Sequence, residues 1–186
     1  MKFHLFAALL LIVPLGCQSN PSDPPTTLEP AVDAVLKLMD DRLSLMHDVA
    51  VSKVILGLPT DDPKREDAIL QAVEVDAKAA NVDKAFAREF FAAQFAAAKL
   101  QQEAVKARAD IPKPTDEGMK QAGETLKKAR TKINDINSKL LTALGKIDWA
   151  NRGVDARKLF AERGPEALER YSDEVRDQAL KPLRPN

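Results

Sequence analysis

The chain has 186 residues, and its 28 lysines and arginines balance 28 aspartates and glutamates. This balance gives no electrostatic reason to expect a nucleic acid or an anionic membrane surface as a partner. Aromatic residues make up only 5% of the chain, and strong helix formers such as alanine and leucine dominate it. The composition therefore favours a helical protein and argues against a β-sheet.

The first residues are typical of an export signal. Lys2 precedes an almost entirely apolar run, Phe3 to Leu15, which is too short to span a membrane as a finished helix and is followed by polar chain. We interpret residues 1–16 as a signal peptide and expect the mature protein to lie in the periplasm.

The only cysteine, Cys17, directly follows this segment. The run Val13–Cys17 is similar to the lipobox of bacterial lipoproteins, in which the cysteine is lipidated, although Pro14 stands where an aliphatic residue is usual. A lipid anchor on Cys17 is one interpretation, and simple cleavage near Ser19 is the other. A single cysteine excludes an internal disulfide.

Residues 17–29 are rich in proline, serine and threonine, and they predict a linker without fixed structure. Apolar residues then recur at steps of three and four over residues 30–56, which predicts a long first helix. Asp62 is the predicted N-cap of the second helix and Pro63 its first residue, and this helix extends to about Ala80.

Two further helices are predicted with clear boundaries. Asn81 ends the second helix and Asp83 caps the third, which covers residues 84–109. A proline-containing loop at 111–115 separates it from a fourth helix at 116–145, which carries a regular apolar stripe.

The remaining chain, residues 149–183, predicts two shorter helices separated near Gly164-Pro165. Residues 30–186 are thus expected to form a single all-α domain, a bundle of about six helices built on the long first one. Its two parts, the first three helices and the C-terminal helices, are assigned to residues 30–110 and 111–186.

No residue pattern indicates a metal centre, a phosphate-binding loop or a nucleophilic triad. His47 is the one histidine outside the signal segment, and a lone histidine on a helix is usually a surface or packing residue. Hydrolytic and redox chemistry therefore have little support, and no metal is expected.

Polar residues instead accompany the apolar stripes of the first and third helices. Arg42 and Lys53 are eleven positions apart, which is close to three helical turns, so both project from one face. Gln94 and Gln102 lie on one line with Ala98, where a core face is expected. Because buried polar groups need partners, these glutamines either satisfy each other or face a ligand.

The polar residues resemble the site of the all-helical chorismate mutases, with Asp62, Arg65 and Glu66 at the start of the second helix. The matching positions, in the order and spacing of that family, are Arg42, Lys53, Asp62, Arg65, Glu66 and Gln102. The resemblance extends from about Arg42 to Gln102 and is weak beyond. The exported, monofunctional (gamma) subclass is most similar, since it shares the signal, the Phe90-Phe91-x-x-Gln94 run and extra C-terminal helices.

The resemblance implies an isomerase that converts chorismate to prephenate, in phenylalanine and tyrosine biosynthesis, without a cofactor. This Claisen rearrangement needs the enolpyruvyl arm held over the ring, and hydrogen-bond donors at the ether oxygen, where negative charge develops. Lys53 and Gln102 are the implied catalytic donors.

The resemblance also implies the substrate-binding residues. Arg42 and Arg65 would bind the two substrate carboxylates as planar forks, and Glu66 would accept a hydrogen bond from the ring hydroxyl, with Asp62 nearby. Lys139 is similar in setting to a further cation that the exported subclass takes from a later helix. By analogy with the family, a homodimer is expected.

Two positions depart from the family pattern. Ala98 stands where family members often carry a small hydroxyl residue, so one carboxylate contact is expected to be missing. Lys99 adds a charge close by, whose direction the sequence does not fix.

Each residue also has a structural explanation. Arg42 and Lys53 could extend beside the core stripe to reach solvent. Asp62 and Glu66 could be first-turn acids favoured by the helix dipole. Gln94 is interpreted as structural, and Phe90, Phe91 and Phe95 are assigned to the core. The alternative functions are a non-catalytic helical envelope lipoprotein and a catalytically decayed mutase relative.

Overall fold

The computed structural model describes residues 27–185. The predicted signal peptide at 1–16, Cys17 and all but the last three residues of the predicted linker at 17–29 lie outside the described residues. The first helix begins at Leu28, two residues earlier than the sequence predicts.

Seven α-helices and one short 3₁₀ turn make up the described part of the chain, which contains no strand. In chain order they are α1 (Leu28–Ser44), α2 (Met46–Ile55), α3 (Pro63–Ala77), α4 (Lys84–Arg108), α5 (Asp116–Gly145), α6 (Trp149–Ala167), α7 (Asp173–Leu180) and the 3₁₀ turn (Lys181–Leu183). Leu45 alone separates α1 from α2, and its backbone stays in the right-handed helical region. The two together form the predicted long first helix, and the all-α class is confirmed.

The predicted caps fix how α3 and α4 begin. The Asp62 carboxylate accepts from the Arg65 backbone N–H at 3.3 Å, and Asp83 accepts from Phe86 N–H at 2.8 Å. Asn81 adopts a positive φ of 58°, the left-handed conformation that ends many helices. These local signals set the position of the polar residues at the start of α3.

The predicted break near Gly164-Pro165 is wrong, because α6 continues through it to Ala167. Pro165 lies in the last turn of the helix, where its missing N–H removes only one bond of the ladder. Gly164 is buried against α7, and a Cβ at this position would lie 2.7 Å from Leu180 Cδ1. The glycine therefore allows close packing of α7 and does not end α6.

The main core lies between α1, α4, α5, α6 and α7. Phe90 and Phe91 are fully buried, with their rings edge to face at 5.3 Å, and Phe95 is also buried, as expected. A smaller apolar cluster forms where α2, α4 and α5 meet, from Met46, Val49, Ala98, Leu126, Ala129 and Ile133. The polar residues on α2, α3 and α4 surround this smaller cluster.

Between residues 27 and 185, none of the helices combines the length and the apolar character that crossing a bilayer requires.

Candidate active site

A polar cavity lies beside the smaller apolar cluster, where side chains from all of the first five helices converge. Six of the seven predicted site residues line it: Arg42, Lys53, Asp62, Arg65, Glu66 and Gln102. Its apolar wall includes Val49, Ala98 and Ile133. Residues that are up to 91 positions apart in the sequence, from Arg42 to Ile133, thus share one concave surface, as in small-molecule sites.

Arg42 is buried at the end of α1, with 3% of its surface exposed. Its Nε donates to Asn137 Oδ1 at 3.1 Å, and its Nη1 donates to the backbone oxygen of Gln94 at 2.9 Å. The guanidinium also lies 5.4 Å from the centroid of the Phe95 ring. This geometry contradicts the alternative that Arg42 reaches out to solvent.

Burial has a direct electrostatic effect on Arg42. It lowers the pKa of the guanidinium to about 10, and the nearby Arg65 adds to the decrease. The hydrogen bonds above occupy Nε and Nη1, and Nη2 has no hydrogen-bond partner among the described residues. A desolvated guanidinium with a free N–H is suited to binding a carboxylate.

Lys53 and Gln102 lie in the same cavity, on α2 and α4, and each is 5% exposed. The Lys53 ammonium donates to the backbone oxygen of Thr60 at 2.6 Å, and burial lowers its pKa although Asp62 acts in the opposite direction. Gln102 Nε2 contacts Met46 Sδ at 3.8 Å and the Ala98 carbonyl at 3.2 Å.

The Gln102 side chain is incompletely satisfied. Its Oε1 is buried and has no hydrogen-bond partner among the described residues, and its Nε2 contacts include one weak sulfur acceptor. Leaving a buried amide in this state costs free energy, so such groups require an explanation. An oxygen of a ligand in the cavity could replace the weak sulfur contact of Nε2, whereas Oε1 would need a donor.

At the start of α3, Asp62 has two roles. One carboxylate oxygen caps the helix, and the other accepts from Arg130 Nη2 at 2.9 Å. Arg65, one turn into the helix, donates to Asn134 at 2.9 Å, and its pKa is lowered first by burial and then by Arg130. The Asp62 carboxylate therefore contacts the Arg130 guanidinium, and it lies close enough to the Arg65 guanidinium to oppose the lowering of its pKa.

Lys139 is the one predicted site residue that the structure does not bring to the cavity. Its side chain is 61% exposed and pairs with Asp135, one turn earlier on α5, at 2.7 Å. Arg130 is the α5 cation that lines the cavity. The two are nine residues apart, about two and a half helical turns, so they project from opposite faces.

Arg130 was not singled out from the sequence. A signal for it exists, because Arg130 directly follows Ala129 and precedes Ile133 by three positions, and both belong to the smaller apolar cluster.

Gln94 stays outside the cavity. It is fully buried, and its Nε2 donates to the backbone oxygen of Ala179 at 2.9 Å, which joins α4 to α7. Its own backbone oxygen accepts from Arg42. This placement fits the structural interpretation.

The connection between α2 and α3, residues 56–62, closes over the cavity. Thr60 Oγ1 donates to Glu103 and accepts from Lys106, and both partners are on α4. Asp61 pairs with Lys99 at 2.8 Å. The cavity therefore has a polar cover that is held by ion pairs and hydrogen bonds.

Taken together, these residues can bind a small dianion and place donors around it. Arginine forks suit carboxylates, and the ammonium and amide can each donate to an oxygen. Within residues 27–185, no three histidine, cysteine, aspartate or glutamate side chains are grouped so as to hold a metal ion.

Comparison with known proteins adds independent information. Residues 33–103 match the family model described as chorismate mutase type II, and this range contains all six of the cavity residues predicted on α1 to α4. No curated protein matches the chain significantly.

Two solved structures resemble the whole fold. A chorismate mutase from Burkholderia thailandensis is 30% identical, with a TM-score of 0.68, over 82% of this chain and 98% of that chain. A chorismate mutase from Burkholderia phymatum is 19% identical, with a TM-score of 0.66, over 86% of this chain and 99% of that chain. At 19% identity, the similarity to this second structure is evidence for the fold alone.

Proposed function

Since the chain belongs to the chorismate mutase type II family, we propose that it catalyses the rearrangement of chorismate to prephenate in the cavity between α1 and α5. One observation carries the proposal. The Lys53 ammonium and the Gln102 amide, on different helices, are buried in a single cavity that also contains the guanidinium groups of Arg42 and Arg65.

The reaction suits a site of this composition. The ether C–O bond of chorismate breaks as a C–C bond forms within the same molecule, so neither a nucleophile nor a proton transfer is needed. Rate acceleration comes from holding the enolpyruvyl arm over the ring and from donors aimed at the ether oxygen. Lys53 and Gln102 supply those donors.

The two substrate carboxylates are assigned to the arginines. Arg42 offers its free Nη2 from a buried position, and Arg65 lies across the cavity at the start of α3. Arg130 adds a third guanidinium, from α5, in place of the predicted Lys139. Ala98 provides no hydroxyl here, so Arg130 also compensates for the carboxylate contact that is expected to be missing.

The acidic residues have different tasks. Glu66 is assigned as the acceptor of the ring hydroxyl, and its carboxylate lies in the cavity. Asp62 orients Arg130 and caps α3, so it acts on the substrate through its neighbours.

We further propose, from the sequence of residues 1–17, that the protein is an exported member of the gamma subclass, that it acts in the periplasm and that Cys17 carries a lipid. Mass spectrometry of the mature N-terminus, with Cys17→Ser as the control, distinguishes lipidation from cleavage near Ser19. A role in phenylalanine and tyrosine biosynthesis and a homodimeric state are proposed from the family.

A direct assay tests the proposal. The purified protein is incubated with chorismate, and the loss of chorismate absorbance is followed beside Lys53→Ala prepared in the same way. Turnover by the wild type and its near absence in the variant support the proposal. A wild-type rate equal to the uncatalysed rate contradicts it and leaves the non-catalytic and decayed alternatives.

A further inference from the structure

Lys99, on α4 next to Ala98, makes a contact that the proposed mechanism does not yet use. Its ammonium lies 3.0 Å from Glu66 Oε2 and 2.8 Å from Asp61 Oδ1. Lys99 and Glu66 both line the cavity, and their side chains are only 35% and 25% exposed. Lys99 therefore bridges α4, the beginning of α3 and the connection that covers the cavity.

The contact between Lys99 and Glu66 is more enclosed than an ordinary surface ion pair, which contributes little because both side chains are mobile and solvated, whereas Asp61 is 70% exposed. The ammonium is held by two carboxylates, and these hydrogen bonds, with Asp61 first, raise the pKa of Lys99. A lysine fixed at two points has fewer accessible rotamers, so it can fix the orientation of its partner.

The Glu66 carboxylate has competing partners. Burial lowers the pKa of Arg42 and of Lys53, and Glu66 is close enough to act in the opposite direction on both. Without another cation, Glu66 would be drawn toward these two groups. It would then be turned away from the position at which it accepts from the ring hydroxyl.

Lys99 removes this competition by occupying one carboxylate oxygen. A carboxylate has two acceptor oxygens, and the ammonium engages Oε2. Oε1 has no hydrogen-bond donor among the described residues and remains free to accept from a hydroxyl.

We propose that Lys99 is a positioning residue for the ring hydroxyl of chorismate, which holds Glu66 Oε2 so that Oε1 accepts from that hydroxyl. This inference rests on the proposed function. It assigns Lys99 to the orientation of the substrate and not to direct binding of a carboxylate.

The test compares chorismate with its analogue that lacks the ring hydroxyl. Lys99→Met is expected to lower kcat/KM for chorismate roughly tenfold to a hundredfold, the effect of losing a hydrogen bond to a charged group. The same variant should change kcat/KM for the analogue less than about threefold. Lys99→Arg, which keeps the charge, should recover most of the activity on chorismate.

A double-mutant cycle on chorismate supplies a second measurement. If Lys99 acts through Glu66, Lys99→Met has little further effect in a Glu66→Gln background. Lys139→Met is the matched control, since Lys139 also pairs with a carboxylate, that of Asp135, but lies outside the cavity. Melting temperatures establish that each variant is folded, and Lys99→Gln replaces Lys99→Met if the latter does not fold.

The outcomes separate the two proposals. No turnover of chorismate by the wild type overturns the proposed function itself. The inference on Lys99 is overturned if the wild type is active but Lys99→Met lowers kcat/KM equally for chorismate and for the analogue. It is also overturned if the effects of Lys99→Met and Glu66→Gln are fully additive. Either result leaves the proposed function intact. A loss of kcat/KM for chorismate but not for the analogue, with little further effect of Lys99→Met in the Glu66→Gln background, supports both proposals.

Discussion

The Lys53 ammonium lies 2.6 Å from the backbone oxygen of Thr60, so the connection between α2 and α3 supplies the acceptor that a substrate oxygen would replace. The same residue, Thr60, is bound by Glu103 and Lys106 on α4 through its hydroxyl. A buried ammonium needs such a partner when no substrate is bound. We therefore expect Lys53 to exchange the Thr60 oxygen for a substrate oxygen when chorismate binds.

Replacing Lys53 tests its role as a donor. Lys53→Met keeps much of the side-chain volume but removes the charge, and it should lower kcat by about 10²-fold to 10³-fold, as for the loss of an oxyanion-hole donor. The steady-state rate of chorismate loss measures this effect. Lys139→Met should keep the wild-type rate, and equal losses in both variants would contradict the assignment.

The alkaline limb of the pH profile tests the state of Lys53. Burial lowers its pKa from the ordinary lysine value, and a rising pH removes the proton that it donates. The profile of kcat/KM should therefore fall with an apparent pKa below that of an exposed lysine. In Lys53→Met the residual activity should lose this limb, and an unchanged limb would assign it to another group.

Replacing Gln102 by glutamate should add a second pH dependence, from the new carboxyl group, to the alkaline limb that the wild type already has. The neutral amide donates at any pH, whereas a carboxyl donates only when it is protonated. Gln102→Glu should therefore be most active at low pH and lose activity as the pH rises through its carboxyl pKa. Parallel pH profiles for the two proteins would show that Gln102 does not contact the reacting oxygen.

Arg130 and Lys139 offer a direct comparison of two cations on α5. Arg130→Ala should raise KM for chorismate roughly tenfold, as expected for the loss of one charge-assisted hydrogen bond. Lys139→Ala should leave KM unchanged, because its side chain lies outside the cavity. If instead Lys139→Ala raises KM and Arg130→Ala does not, Lys139 is the α5 cation that binds the substrate, as the sequence predicted.

Much of the fold follows from local signals in the sequence. Asp62 and Asp83 are caps whose effect is confined to the next turn, and the positive φ of Asn81 depends on one residue, so both could be predicted. Pro165 shows the limit of this reasoning. Whether a proline ends a helix depends on what packs against it, and here Leu180 packs on Gly164.

The site likewise contains residues that the sequence predicts and residues that depend on tertiary packing. The residues on α1 to α4 keep the spacing of a known family, so the sequence brought Arg42, Lys53 and Gln102 into one hypothesis. The choice between Arg130 and Lys139 needs the rotation of α5 about its own axis, which is fixed by its packing against α1 and α2. The partner of Lys99 is equally invisible in the sequence, because the contact with Asp61 depends on the path of the connection.

A crystal structure with a bicyclic ether dicarboxylate that mimics the transition state tests the central claim most directly. We expect Lys53 Nζ and Gln102 Nε2 both to lie within hydrogen-bond distance of the ether oxygen, with Thr60 displaced from Lys53. A mimic bound elsewhere, or bound in this cavity with its ether oxygen away from both donors, would contradict the account.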